Sequence, residues 1–165
     1  MKKNYISLAK KSADIQINEL KKVKKIFSNS FVKAIDLILN CRGKVIFAGI
    51  GKSGLIARKI SATFSSVGIP SFFCDPAQAL HGDMGQIEKK DILIIFSYSG
   101  NTSELNNMIK YANRYRIKII GVASKVDSVL LKASDVKLIL PKVKEADITG
   151  MVPTSSTSIT LLLGD

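Results

Sequence analysis

Two short runs of the 165-residue chain bring together residue types that handle a phosphate: Gly49-Ile50-Gly51-Lys52-Ser53-Gly54 and Ser97-Tyr98-Ser99-Gly100-Asn101-Thr102. Each closes an apolar stretch, KVIFAGI at 44–50 and DILIIFS at 91–97. A phosphate dianion accepts several hydrogen bonds. Short hydroxyl side chains and helix-start N–H groups satisfy it without a metal.

The glycine run admits three readings. A Walker A loop needs a glycine five positions before Gly51, where Ile46 stands, so the Lys52-Ser53 pair is a decoy for an NTPase. A dinucleotide fingerprint G-x-G-x-x-G fits through Gly49, Gly51 and Gly54, and Asp75 stands roughly where a ribose-binding acid belongs. The third reading is a loop that presents backbone N–H groups, the Ser53 hydroxyl and the Lys52 ammonium to a phosphorylated sugar at a helix start. A turn needed only for close strand-helix packing is the bland account.

The serine run bears on that choice. It offers the hydroxyls of Ser97, Ser99 and Thr102 and a flexible Gly100 where a helix begins. A nicotinamide enzyme would already have placed its pyrophosphate on the first loop, so a second cradle would be surplus. A capping box with Thr102 as the cap explains part of the run but does not require Ser97 and Ser99.

The elements that must position these loops are legible from periodicity. Ile6, Ala9, Ala13, Ile17, Leu20, Val23 and Phe27 follow helical spacing as a narrow apolar stripe on a lysine-rich rod. A second helix is predicted from Ser30, as its cap, to Asn40. Strands are predicted at 44–50, 71–74, 91–97, 117–124 and 136–140, and helices at 53–67, 102–115, 128–133 and from Thr154 to Leu163. Apolar strands alternating with helices predict an α/β fold, a doubly wound five-stranded parallel sheet flanked by helices. Residues 1–40 form N-terminal helices that pack on the domain or on a partner subunit, and 41–165 form the domain. Ligands of such sheets bind beyond the carboxyl ends of the strands, where strand order reverses. No internal repeat or low-complexity tract interrupts this pattern.

Strand, SxSGxT and helix together resemble the signature of the sugar isomerase (SIS) domain family. Gly51-Lys52-Ser53-Gly54, Ala79-Leu80-His81-Gly82-Asp83 and Pro153-Thr154-Ser155-Ser156-Thr157 narrow the resemblance to its arabinose-5-phosphate isomerases. The resemblance runs from about Ile35 to Asp165 and implies a flavodoxin-like strand order. It implies interconversion of D-ribulose 5-phosphate and D-arabinose 5-phosphate through a cis-enediol, supplying the 3-deoxy-D-manno-octulosonate branch of lipopolysaccharide synthesis. No redox cofactor or metal is required. By the same resemblance Ser53, Ser97, Ser99 and Thr102 bind the phosphate, and Gly51, Gly54, Gly100, Ser155, Ser156 and Thr157 shape the substrate loop.

Lys52, Glu104, Glu145 and His81 match catalytic positions. The chain holds four glutamates (Glu19, Glu88, Glu104 and Glu145), and two of them follow candidate loops. Glu145 is the expected enediol-forming base, Lys52 an electrostatic partner of the sugar oxyanion, and Glu104 a group that orients a hydroxyl or tunes Lys52. Bland accounts remain open: a first-turn acid for Glu104, a charged surface run for Glu145 and a solvated loop lysine for Lys52. His81, the single histidine, is expected to contact a sugar hydroxyl or shuttle a proton, and cannot make a zinc site alone. The family implies a homodimer or homotetramer with shared sites. It also has a further histidine in a His-Pro-Gly-Gly segment after the Thr154 helix, and commonly a pair of CBS domains. Neither is in this sequence, which is expected to be an incomplete isomerase domain.

Two other functions stay in view. A sugar-phosphate sensor without turnover would keep the hydroxyls and not need Lys52 with Glu145, although no helix-turn-helix segment accompanies them. A dinucleotide-dependent oxidoreductase would use the glycine loop. Composition narrows the field further. The net charge of +12 gathers largely in the first 33 residues, without interleaved aromatics, so a solvated lysine face fits better than a nucleic-acid partner. It would also attract an anionic metabolite. Ser158 to Leu163 is too short to cross a bilayer, and the charged start does not read as a secretory signal, so a cytoplasmic protein with no membrane partner is expected. Cys41 and Cys74 stand apart from each other and from His81, and are expected to be small buried hydrophobes.

Overall fold

A computed structural model describes residues 4–165. The reading of the first three residues as part of a non-secretory start lies outside the described residues. The chain runs α1 (Tyr5–Leu20), α2 (Asn29–Leu39), β1 (Val45–Gly49), α3 (Lys52–Ser66), β2 (Ser71–Phe73), β3 (Ile92–Phe96), α4 (Leu105–Tyr115), β4 (Lys118–Ala123), α5 (Val129–Ala133), β5 (Val136–Ile139) and α6 (Ser155–Gly164). The five strands are parallel, in the order β2-β1-β3-β4-β5. Strand order therefore reverses between β1 and β3, as the doubly wound expectation requires.

Every residue of β1 and β3 is buried, because helices cover both faces of the sheet. Alternate side chains divide between two cores. Val45, Phe47, Ile94, Phe96, Ile120 and Leu138 pack against Ala34 of α2, Ala57 and Ile60 of α3 and Ile159 of α6. Ile46, Leu93, Ile95 and Ile119 pack against Leu105, Met108 and Ile109 of α4 and Leu130 and Leu131 of α5. The Phe47 ring meets Phe64 edge-on at 5.0 Å and stacks on Phe96 at 6.3 Å.

The N-terminal region differs from its expectation. One helix does not continue to Phe27: α1 stops at Leu20, and a 3-10 turn follows over Lys21–Ile26. In that tighter winding residues three apart eclipse, which puts Val23 and Ile26 together in the core. The stripe before it stays largely outside, with Ile6 70% and Ile17 55% exposed and no buried residue on α1. Phe27 is half exposed as well. Ser30 is not the cap of α2 either, since the helix begins at Asn29 with Ser28 in the capping position. Among the described residues no helix is long and apolar enough to cross a membrane.

Candidate active site

The first loop is built by three glycines with different tasks. A Cβ on Gly49 would come within 2.9 Å of the Ser53 carbonyl, and one on Gly54 within 2.6 Å of the Gly49 oxygen. These two let β1 and α3 approach closely. Gly51 sits at φ +58 with nothing within 4 Å of a would-be Cβ, so it makes the turn and leaves the space beside it open. The α3 helix then starts at once, through Gly54 N to Ile50 O and Leu55 N to Gly51 O. By helix geometry the Lys52 and Ser53 amides have no intrahelical acceptor. Lys52 is exposed and Ser53 half-buried. Asp75 follows β2, and its Oδ1 accepts the Ala77 amide at 2.9 Å within its own turn.

The second loop is more tightly held. Ser97 is buried, and its hydroxyl accepts the Gly100 amide at 3.1 Å and pairs with the Thr102 hydroxyl at 2.9 Å. One proton closes that pair, so the other hydroxyl proton remains for an incoming oxygen. Ser99 is exposed and accepts the Asn101 amide at 3.3 Å. The start of α5 clamps the loop from outside. Leu130 N donates to Gly100 O at 3.0 Å and Val129 N to Asn101 Oδ1 at 2.9 Å. A Cβ on Gly100 (φ +69) would fall 2.2 Å from the Ser128 hydroxyl.

Helix α4 begins at Leu105 and not at Thr102. Thr102 does not cap it. Its carbonyl accepts Leu105 N in a tight turn, while its hydroxyl pairs with Ser97. Glu104 stands exposed just before the helix and accepts the Ser103 hydroxyl at 2.7 Å. That bond is the main reason its carboxyl lies below the ordinary value. Among the described residues Glu104 makes no ion pair with Lys52, so the expected tuning contact is not formed. His81 ends a short 3-10 turn after β2 and is exposed.

Glu145 lies on the segment after β5, two strands from β3 and so about 10 Å along the carboxyl edge. Its Oε2 accepts the Thr154 amide at 2.7 Å, the Thr154 hydroxyl at 2.9 Å and the Ser156 amide at 3.3 Å. It is therefore not a member of a loose surface run but the cap of α6. Burial pushes the Glu145 carboxyl up, but bonds from the Ser156 and Thr154 hydroxyls and amides outweigh it and hold the group below its ordinary value. A cavity of about 600 Å³ adjoins it, lined by Leu8, Lys11, Ser12 and Ile15 of α1 and by residues 144–148. Another cavity, of about 190 Å³, lies over Phe47, Ile94, Phe96 and Ile120; its aliphatic and aromatic walls lack the donors a phosphate needs. Ser155 is fully buried, its hydroxyl without a partner among the described residues, and the Thr157 hydroxyl donates to Thr154 O at 2.7 Å.

The parallel sheet thus brings the loops of Lys52, His81, Ser97 to Thr102 and Glu145 to one edge, while no hydrogen bond or ion pair joins Lys52, His81, Glu104 and Glu145 to one another among the described residues. Two contributors were not singled out by sequence. Tyr98 braces the Glu145 segment: its hydroxyl donates to Pro141 O at 3.2 Å and accepts Val143 N at 3.0 Å. Thr154 holds the Glu145 carboxylate across nine residues, a spacing outside the usual capping box. Cys74 is buried as expected, whereas Cys41 is only half-buried. Burial pushes the Cys74 thiol up to about 11.

Residues 38–165 match the family of the SIS domain. The chain is 40% identical over 162 residues to a probable arabinose 5-phosphate isomerase of Haemophilus influenzae, covering 98% of this chain and 48% of that protein. It is 38% identical over 162 residues to arabinose 5-phosphate isomerase KdsD of Pseudomonas aeruginosa, covering 98% and 50%. The chain spans about half the length of the curated relatives it matches. Among solved structures, c3406 of E. coli CFT073 in complex with arabinose 5-phosphate superposes with a TM-score of 0.94 at 34% identity, over 100% of this chain and 88% of that one. The chain belongs to the SIS domain family.

Proposed function

We propose that this chain is the isomerase domain of an enzyme that interconverts D-arabinose 5-phosphate and D-ribulose 5-phosphate, with the product feeding 3-deoxy-D-manno-octulosonate synthesis. The observation that carries the reading is the Ser97–Thr102 hydroxyl pair, held with a proton to spare at the point where strand order reverses. Ser53, Ser99 and the first amides of α3 complete the phosphate site, and Gly51, Gly54 and Gly100 let the backbone approach it. The names of the relatives, and the arabinose 5-phosphate in the c3406 structure, supply the sugar.

In this reading the phosphate orients the sugar so that C1 and C2 face the acid-base groups. A base removes the C2 proton of the aldose while the C1 carbonyl oxygen gains one, giving the cis-enediol. The O2 proton then leaves as C1 is protonated, and the ketose forms. Glu145 is the base, ionised at neutral pH. Lys52 stabilises the oxyanion, with His81 and Glu104 at the sugar hydroxyls and Ser155, Ser156 and Thr157 along the substrate loop. Two or four copies share their sites.

The test is an isomerase assay against pentose and hexose phosphates, with Glu145→Gln beside the wild type. Turnover should fall by roughly 10²–10⁴-fold while binding stays near normal. Wild-type turnover in Glu145→Gln would remove Glu145 as the base. A sensor without turnover is the second reading, favoured by the employment of Glu145 Oε2 as a helix cap; ligand binding with no isomerisation of any sugar phosphate would establish it. Tight NAD(H) binding would instead restore the oxidoreductase.

A further inference from the structure

The contacts of Glu145 are lopsided. Three hydrogen bonds converge on Oε2 and none to Oε1 is resolved among the described residues, while the Ser156 hydroxyl is a further donor toward the carboxylate. One of the three donors, the Thr154 hydroxyl, is itself directed by the backbone. Ala146 N donates to Thr154 Oγ1 at 2.7 Å. An amide can only donate, so that bond occupies a lone pair of the hydroxyl and leaves its proton to point elsewhere. The acceptor available is Glu145 Oε2 at 2.9 Å. The result is a relay of fixed direction, from Ala146 N–H through the Thr154 O–H to the carboxylate, in which each bond polarises the next.

We infer that Thr154 is a positioning residue for Glu145, engaging one carboxylate oxygen through this relay so that the other is the one offered for proton transfer. The inference rests on Glu145 being the base. Its geometry is independent of that role, because Ala146 immediately follows Glu145, and the same hydroxyl therefore ties both the backbone and the side chain of this segment to the start of α6. Valine, which matches threonine in shape, would leave the Ala146 amide without an acceptor and Oε2 without its hydroxyl donor, while the amides of residues 154 and 156 would still reach it. Serine would keep both.

The charged groups that face Glu145 are few. Lys11 of α1 and Lys144 and Asp147 of its own segment line the adjoining cavity, and the first turn of α6 carries no charged side chain. Farther along, Glu19 and Lys22 pair with each other. None of these groups changes in the Thr154 variants, so a change in titration there reports the relay.

The experiment follows the Glu145 carboxyl by carbon NMR against pH in wild type, Thr154→Val and Thr154→Ser, alongside the pH dependence of kcat and KM for arabinose 5-phosphate. Thr154→Val should raise the titration midpoint by roughly one unit, the size set by losing a hydrogen bond to a charged group. The acidic limb of kcat should move up with it while KM changes less than about twofold, and Thr154→Ser should restore both. Where the valine variant does not fold, Thr154→Ala supplies the same comparison. An unmoved Glu145 titration in the valine or alanine variant overturns the positioning role, whatever the activity. An unmoved acidic limb despite a shifted titration overturns its link to the reaction. The base assignment fails separately, through Glu145→Gln with full turnover, and the NMR titration then still decides whether Thr154 holds the carboxylate.

Discussion

The two ends of the sheet solve the same problem, unpaired polar groups beside an apolar core, in opposite ways. At the amino end carboxylates are used up. Asp91, buried just before β3, accepts Lys44 N through Oδ1 and Glu88 N through Oδ2, both at 2.8 Å, with the Lys44 ammonium at 4.0 Å. Asp135, just before β5, does the same for its strand pair, accepting Ile119 N at 2.9 Å and the Lys118 ammonium at 2.7 Å. Both oxygens of both residues are spent inside the protein. At the carboxyl end hydroxyls and one carboxylate keep something in reserve: a proton of the Ser97–Thr102 pair, the amides that open α3, and Glu145 Oε1. Saturated groups fix strands, and groups with spare capacity await a ligand. Substitutions at the two ends should therefore fail differently.

The largest effect belongs to the amino end. Asp91→Ala removes a fully desolvated carboxylate and strips two part-buried amides of their acceptor, while the Lys44 ammonium keeps the Gln86 carbonyl, which should cost about 3–5 kcal/mol of unfolding free energy in urea titration. A loss below about 1 kcal/mol would mean that water replaces the carboxylate, and the contrast between the ends would dissolve. Gly100→Ala probes the one place where the carboxyl end behaves like the other. The residue has a left-handed φ and its new Cβ would collide with Ser128, so a loss of about 2–3 kcal/mol is expected. Binding of inorganic phosphate should fall along with it, because the clash tilts the loop.

Acid should weaken both ends through smaller terms. Burial pushes Asp135 up, but the Lys118 ammonium and the Ile119 amide hold it below the ordinary value, and Glu145 is depressed by its own donors. A carboxyl that is depressed in the folded protein binds fewer protons there than in the unfolded chain. Its contribution is present above the ordinary carboxylate value, near pH 4, and is lost as pH falls through the folded value. Thermal midpoints should therefore decline below about pH 4, and Asp135→Asn should flatten part of that decline. Its stability loss at pH 7 should be only about 0.5–1 kcal/mol, since the ion pair is partly solvated. An unchanged acid profile in Asp135→Asn would remove that residue from the account.

The sequence carried the edge of the sheet well and its finer contacts poorly, for physical reasons. Strands such as 91–97 are apolar throughout because both faces are covered, so their positions and those of the loops could be read from pattern, while the order across the sheet came from the family resemblance. The Ser97 and Gly51 loops followed from them. Helix ends were less legible. Thr102 looks like a cap, yet its hydroxyl bonds Ser97 across five residues and α4 waits until Leu105. Glu145 looks like one charge in a lysine-rich run, because its partners Thr154 and Ser156 stand nine and eleven residues away. Periodicity reports burial, and these bonds depend on where two loops meet.

The smallest effect on stability is the most discriminating. Ser99 is exposed at the carboxyl end, and its one recorded bond, from Asn101 N, is long at 3.3 Å. Ser99→Ala should leave the unfolding free energy within about 0.5 kcal/mol of wild type, as for a surface position. Binding of arabinose 5-phosphate, followed by calorimetry, should weaken roughly tenfold, the loss expected when one hydrogen bond to a charged group is removed. A variant as unstable as Asp91→Ala would show that this hydroxyl is tied into the fold like the buried carboxylate, and the division between the two ends would be wrong. Full stability with full affinity would keep that division and place the phosphate on Ser53, Ser97 and Thr102 alone.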